Sequence, residues 1–259
     1  MNLEPYLKAA REIARDAGQL ILAQSSTMHT MEFKEAFNPV TVIDRQSETL
    51  ITQALMKRFP DHGILAEEGT SIHQEKDFLW IIDPLDGTTN FAHNLPQFSV
   101  SIGLLIEGKP SVGVIYGPRF DEEFFAMRGG GAFLNSKPIH VSSVDALERS
   151  FWVTGEPYSI RKNIDYHLKL FKGMVNKTLA IRRFGSACLD FSNVACGRFE
   201  GYWEAGLKPW DAAAGVLMVE EAGGKVTAYD GSPFDVRNPE TMVASNGILH
   251  SAMLEVLQP

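Results

Sequence analysis

Phe78-Leu79-Trp80-Ile81-Ile82-Asp83-Pro84-Leu85-Asp86-Gly87-Thr88-Thr89-Asn90-Phe91 decides how this chain of 259 residues is read. Its first five residues are apolar throughout, as a central strand covered on both faces would be. The strand then ends in two carboxylates, and burying two like charges without compensation is costly. A metal ion is the natural compensation. The spacing across Pro84 reads as a turn that lets Asp83, Asp86 and the Leu85 carbonyl face one side. Gly87 permits a close backbone approach, and Thr88-Thr89 opens a short helix whose N–H groups attract an anion.

Outward from this stretch, Ile64-Leu65-Ala66 reads as a second short buried strand, followed by the acidic pair Glu67-Glu68. Apolar residues at helical spacing from Leu3 to Ile21 predict an amphipathic helix ending near Gln24. An extended piece, Val40 to Ile43, leads into a helix from Asp44 to Phe59, stopped by Pro60. Runs at Phe98–Ile106, Ser111–Tyr116 and Glu122–Met127 predict a meander joined at Gly108, Gly117 and the glycines 129–131. Beyond Val141 the pattern alternates: helix 163–175, strand 178–181, helix 186–196, strand 200–205, helix 211–222, strand 225–228 and a closing helix after Ser245. The expectation is one unit over 1–259. Its first half, about 1–142, is antiparallel-rich and carries the acidic motifs; its second half, about 143–259, is α/β.

Composition excludes several classes. Twenty-four basic against 32 acidic residues give a net charge of −8, a surface that repels nucleic acid. Two cysteines leave no disulfide framework and no structural zinc site; Cys188 and Cys196 share a helix face and read as core. No apolar run spans a membrane and no secretion signal is visible, so the expected location is the cytoplasm. Nucleotide-loop, zinc-protease and serine-hydrolase signatures are absent. A third acidic element, Trp210-Asp211-Ala212-Ala213-Ala214-Gly215, opens a helix of small residues with Asp211 at its start. If Glu67, Asp83, Asp86 and Asp211 converge, they bring four negative charges and no obvious cationic partner. The seven histidines fall in no metal-ligand spacing, so the donor set is all oxygen and favours Mg²⁺ or Mn²⁺.

The Glu-Glu pair, the Asp-Pro-Leu-Asp-Gly-Thr run and the Trp-Asp-Ala-Ala-Ala-Gly run, in this order, resemble the inositol monophosphatase family over nearly the whole chain. The run Arg182-Arg183-Phe184-Gly185-Ser186-Ala187 is similar to its bacterial branch. The resemblance implies an αβαβα sandwich of the sugar-phosphatase type. It also implies a Mg²⁺-dependent phosphate monoester hydrolase acting through metal-activated water, with two or three ions. Glu67, Asp83, Asp86, Asp211 and the Leu85 carbonyl match the metal ligands. Gly87 and Thr88 match the phosphate contacts, and Asp86 and Asp211 also border the substrate. Asp44 and Thr88 match the pair that orients the attacking water, with Glu67 beside it and Lys34 at a nearby basic position. Gly185, Ser186, Ala187 and Glu204 match the wall that receives the alcohol. The implied substrate is a small phosphorylated polyol or sugar, inositol 1-phosphate first; fructose 1,6-bisphosphate, NADP and nucleotide 3′-phosphate suit related sites. The same resemblance implies a homodimer, inhibition by Li⁺, and a possible protein partner in transcription or RNA processing. Glu156 stands where bacterial relatives usually carry an aromatic residue, and Arg182-Arg183 suits either a subunit interface or the rim of the site. A haloacid-dehalogenase-type phosphatase is the rival reading, but its Asp-x-Asp spacing with a nucleophilic Asp does not match Asp-x-x-Asp here.

Overall fold

One apolar face of α1 (Glu4–Gln24), carrying Leu7, Ala10, Ile13, Ala14, Ala17 and Ile21, is buried, and Pro5 sits in its first turn where a missing N–H costs nothing. The computed structural model describes residues 1–25, 30–35, 38–157 and 159–257. A short hairpin of β1 (Glu32–Glu35) and β2 (Asn38–Val40) leads into α2 (Val42–Arg58). The extended piece therefore stops at Val40, and the helix begins two residues before Asp44. The cause is a capping box, in which Thr41 Oγ1 accepts from the Ile43 N–H at 3.2 Å and the Asp44 carboxylate accepts from the Thr41 N–H at 2.8 Å.

The next nine strands and helices form the larger sheet and its edge: β3 (Gly63–Ala66), β4 (Ser71–Ile72), β5 (Phe78–Asp86), α3 (Thr88–Ala92), β6 (Ser99–Ile106), β7 (Lys109–Gly117), β8 (Glu122–Met127), β9 (Gly131–Leu134) and β10 (Lys137–Ile139). Eight strands pair in the order β10-β9-β8-β7-β6-β5-β3-β4, antiparallel except for the parallel pair β3/β5. The acidic run is not a turn. β5 continues through it to Asp86, and Asp83 pairs with Ser101 while Asp86 pairs with Ser99, which leaves one extra residue on β5. Pro84 has no N–H to give the ladder, so the bulge forms there.

The second half supplies β11 (Phe151–Thr154), α4 (Ile164–Val175), β12 (Ala180–Arg182), α5 (Ala187–Ala195), β13 (Gly201–Ala205), α6 (Pro209–Glu221), β14 (Lys225–Thr227), β15 (Thr241–Ser245) and α7 (His250–Leu257). Five strands pair in the order β12-β11-β13-β15-β14, with β15 antiparallel to both neighbours. β11 and β15 were not expected from the sequence. α6 starts at Pro209, with Lys208 as its N-cap, so Asp211 lies inside the first turn and accepts from the Lys208 N–H at 2.6 Å.

Five layers result: α1 and α2, the eight-stranded sheet, α5 and α6, the five-stranded sheet, then α4 and α7. This is the αβαβα arrangement. Period-two alternation along β5 divides the core. Trp80 and Ile82 pack toward α1 and α2, whereas Leu79 and Ile81 pack toward α5 and α6. The third core, around Trp152, Trp203 and Met174, lies under α4 and α7. The small residues of α6 have a packing cause. A Cβ on Gly103 would lie 2.9 Å from the Ala213 Cβ, and one on Gly113 would lie 2.9 Å from the Ala214 carbonyl oxygen. The helix thus sits close on the sheet and brings Asp211 to the end of β5. Among the described residues, no helix is long and apolar enough to cross a membrane.

Candidate active site

The alternation that sends Ile81 toward α5 and α6 sends Asp83 to the same side, where β3, β5 and α6 end together. Glu67 enters from β3, its N–H donating to the Ile82 carbonyl at 3.2 Å. Glu67, Asp83, Leu85, Asp86 and Asp211 line one cavity of about 500 Å³. Burial, then Glu67, Asp86 and Asp211, pushes the Asp83 carboxyl well above its usual range. Burial and then Glu67 do the same to Asp211. Asp86 is raised by burial and held back by donors from Ser186, Cys188 and Ser99.

A cation is present at the basic position that the family resemblance implied. Lys34 Nζ donates to Glu67 Oε1 at 2.8 Å and to Glu68 Oε1 at 2.7 Å. One ammonium shared with Glu68 cannot neutralise four carboxylates. The site fits hard divalent cations: every acidic donor is a carboxylate, and the charge deficit is large. Cys188 lies in the same cluster, with ligand atoms of Asp83, Asp86 and Cys188 within 4.8 Å of one another. Burial and then Asp86 raise its thiol well above the ordinary value, and its Sγ donates to the Asp211 carbonyl at 3.4 Å, so it serves as a donor.

Beside the carboxylates stands a buried hydroxyl–carboxylate pair. Thr88 Oγ1 donates to Asp44 Oδ1 at 2.8 Å, and both residues are buried. Burial raises Asp44, against hydrogen bonds from Thr41 and Thr88. Gly87 has φ +88°, and a Cβ there would lie 2.7 Å from the Gln97 carbonyl oxygen. The loop is thereby held against the opposite wall. Asn90 Nδ2 donates to Gln97 O at 2.8 Å and to Phe184 O at 2.7 Å, tying the acidic run to the segment before α5.

That wall comprises Gly185, Ser186 and Ala187 at the start of α5, and Glu204 on β13. The Ala187 and Cys188 N–H groups donate to Asp86 at 3.1 and 3.0 Å, and Ser186 Oγ adds a short bond. Glu204 is recessed and half-buried; Tyr202 donates to it, and a Cβ on Gly155 would fall 2.0 Å from its Oε2. Burial lifts it from the usual 4.5 to about 7, against Tyr202 and Arg183. The two arginines separate. Arg183 lines the cavity mouth beside Glu156, while Arg182 stacks over the Phe151 ring at 4.8 Å.

The sequence reading missed Asp190, which is 1% exposed, lines the cavity and has an Oδ1 without a hydrogen-bond partner among the described residues. Its only signal was position, one helical turn after Ala187. Cys188, read as core, is 0% exposed within the core under the large sheet and also borders the acidic cluster.

A layered α/β scaffold with an oxygen-rich acidic cavity at the strand ends defines the class of metal-dependent phosphatases. The chain belongs to the inositol monophosphatase family, whose sequence model matches residues 2–259. It is 44% identical over 258 residues to an inositol-1-monophosphatase of Synechocystis, covering 99% of this chain and 90% of that protein. It is 41% identical over 264 residues to the Nus factor SuhB of Pseudomonas aeruginosa, covering 99% and 97% of the two chains. The solved inositol monophosphatase of Anabaena superposes with a TM-score of 0.91 at 44% identity, over 99% of this chain and 96% of that one. The protein is an enzyme of this phosphatase family.

Proposed function

We propose that this enzyme hydrolyses small polyol phosphate monoesters, inositol 1-phosphate first, to the alcohol and inorganic phosphate. The observation that carries the reading is the convergence of Glu67, Asp83, Asp86 and Asp211 on one cavity beside the Thr88–Asp44 pair. These four carboxylates and the Leu85 carbonyl would hold two or three Mg²⁺ ions, with Mn²⁺ as the substitute. When bound, such ions supply Lewis acidity toward phosphoryl oxygen and water and the positive charge the site lacks.

The protein's own groups do the rest. The Thr88 hydroxyl proton is committed to Asp44, so the Thr88 oxygen presents a lone pair to a water in the cavity and orients it toward phosphorus. Asp44, with its raised affinity for a proton, suits the accepting end of that pair. The Gly87 and Thr88 backbone, at the start of α3, lines the space for the phosphoryl oxygens, and the Thr88 hydroxyl is kept for the water. Gly185, Ser186, Ala187 and Glu204 receive the alcohol, where a carboxylate accepts from vicinal hydroxyls. Location in the cytoplasm and assembly as a homodimer belong to the same reading. The relative named a Nus factor supports a second role, docking on a transcription partner.

The test is phosphate release with and without Mg²⁺ over inositol 1-phosphate and p-nitrophenyl phosphate, with Li⁺ added at millimolar levels. Mg²⁺-dependent release favouring inositol phosphate, inhibited by Li⁺, is expected. Glu204→Gln should lose about one to two decades on inositol phosphate and less on the aryl ester, the size of one charged hydrogen bond. Release that survives full chelation would sink the proposal.

A further inference from the structure

The alcohol end of the cavity carries its own charges. Arg183 and Lys208 line it together with Glu156, Asp190 and Glu204. Arg183 Nη1 stands 3.8 Å from Glu156 Oε2, and the Glu156 side chain is only 24% exposed against 58% for Arg183. A guanidinium at the mouth of a phosphatase cavity is a ready partner for a phosphate. Here it already faces a carboxylate that is drawn in toward the protein. Asp190 and Glu204 line the same end, so a second phosphate on the alcohol would meet three carboxyl groups against Arg183 and Lys208.

We propose that Glu156 is a specificity-determining residue: by occupying Arg183, it makes the alcohol end accept uncharged polyols and reject substrates that carry a second phosphate. The proposal rests on the phosphatase reading above. Glu156 acts through Arg183 and has no part in the reacting centre, so its mark is on the choice between substrates. The hydroxyls of a monophosphate approach Glu204 whether or not Arg183 is paired. A bisphosphate must find Arg183 free.

The experiment measures kcat/KM for inositol 1-phosphate and for fructose 1,6-bisphosphate, at fixed Mg²⁺ and ionic strength. It compares the wild type with Glu156→Gln, Glu156→Asp, Arg183→Gln and the double variant Glu156→Gln/Arg183→Gln. The wild type should prefer the monophosphate. Glu156→Gln should lower that preference about tenfold, the size of one charge-assisted contact that a freed Arg183 would give the second phosphate. Glu156→Asp, which keeps the charge, should keep most of the preference. In the Arg183→Gln background the Glu156→Gln effect should shrink to less than about threefold, the signature of a residue acting through another. Turnover of the monophosphate in the same samples reports that each variant is folded. A preference unchanged by Glu156→Gln, or a wild type that favours the bisphosphate, overturns the proposal and leaves the phosphatase reading standing. A wild type that releases phosphate from neither ester overturns both.

Discussion

Glu123, on β8 beneath α1, is 0% exposed, and Asp83, on β5, is 1% exposed. Glu123 accepts from Arg11 Nη2 at 2.7 Å, from Arg11 Nε at 3.2 Å and from Arg15 Nε at 2.9 Å. The Arg11 guanidinium also lies 3.9 Å from the centroid of Phe125. The chain brings its own counter-ions to this carboxylate, and the result is a clamp of α1 on the sheet. Among the described residues Asp83 accepts from the Leu85 N–H at 3.1 Å, and the charges around it are the carboxylates of Glu67, Asp86 and Asp211. A buried charge that is fully paired holds a structure together; one left short of positive charge marks a place for something the chain does not encode.

The largest effect should come from removing the carboxylate that lacks a counter-ion. Asp83→Asn should cut turnover roughly 10³-fold or more, because it removes a ligand for the charge that stabilises the transition state. The same variant should melt higher than the wild type when both are stripped of metal. A metal-free Asp83→Asn protein that melts lower would show that Asp83 is compensated after all.

At the other carboxylate the sign reverses. Arg11→Ala/Arg15→Ala leaves Glu123 buried and unpaired and should cost about 3–5 kcal/mol of stability by chemical denaturation. Turnover well below the melting temperature should stay within a few-fold of wild type. A large loss of turnover with little loss of stability would erase the contrast between clamp and site.

The smallest effect is in the pH dependence. Asp83 and Asp211 have folded values raised above the usual carboxylate range, and Glu68 and Glu204 are each raised to about 7. Between the unfolded and folded values the native state holds protons that the unfolded chain has lost. Stability of the metal-free protein therefore falls as pH rises from about 4.5 to 7. Scanning calorimetry should find it melting about 2–4 °C higher at pH 5.5 than at pH 7.5. Saturating Mg²⁺, which binds the ionised site, should flatten or invert that trend. A metal-free melting temperature that rises toward neutral pH would contradict the assignment of these groups as uncompensated.

Legibility followed the same division. Glu67, Asp83, Asp86 and Asp211 could be read because each follows an apolar run or opens a helix of small residues, places where a carboxylate is out of keeping with its neighbours. Lys34 sits in a short polar strand with no local mark and entered only through family resemblance. Asp190 is hidden by helical periodicity, since nothing nearby says which face turns toward a cavity. In the fold, the long apolar runs and the meander were plain. β15, Thr241-Met242-Val243-Ala244-Ser245, was not, because its strand character comes from pairing with β13 and β14 on either side. The bulge at Pro84 was mistaken for a turn because proline signals both and only the neighbouring strand distinguishes them.

The bonds that assemble the cavity also span long stretches of chain. Ser186 reaches back 100 residues to Asp86, the Cys188 N–H reaches back 102, and Asn90 reaches forward 94 to Phe184. During synthesis, the ribosome releases Asp83 and Asp86 long before α5 and Asp211 exist to meet them. A nascent or truncated chain that ends before Asp211 thus carries three of the four converging carboxylates and lacks the fourth. The cavity is whole only when the second sheet has docked on the first, because Asp211, Ser186 and Glu204 come from the second half.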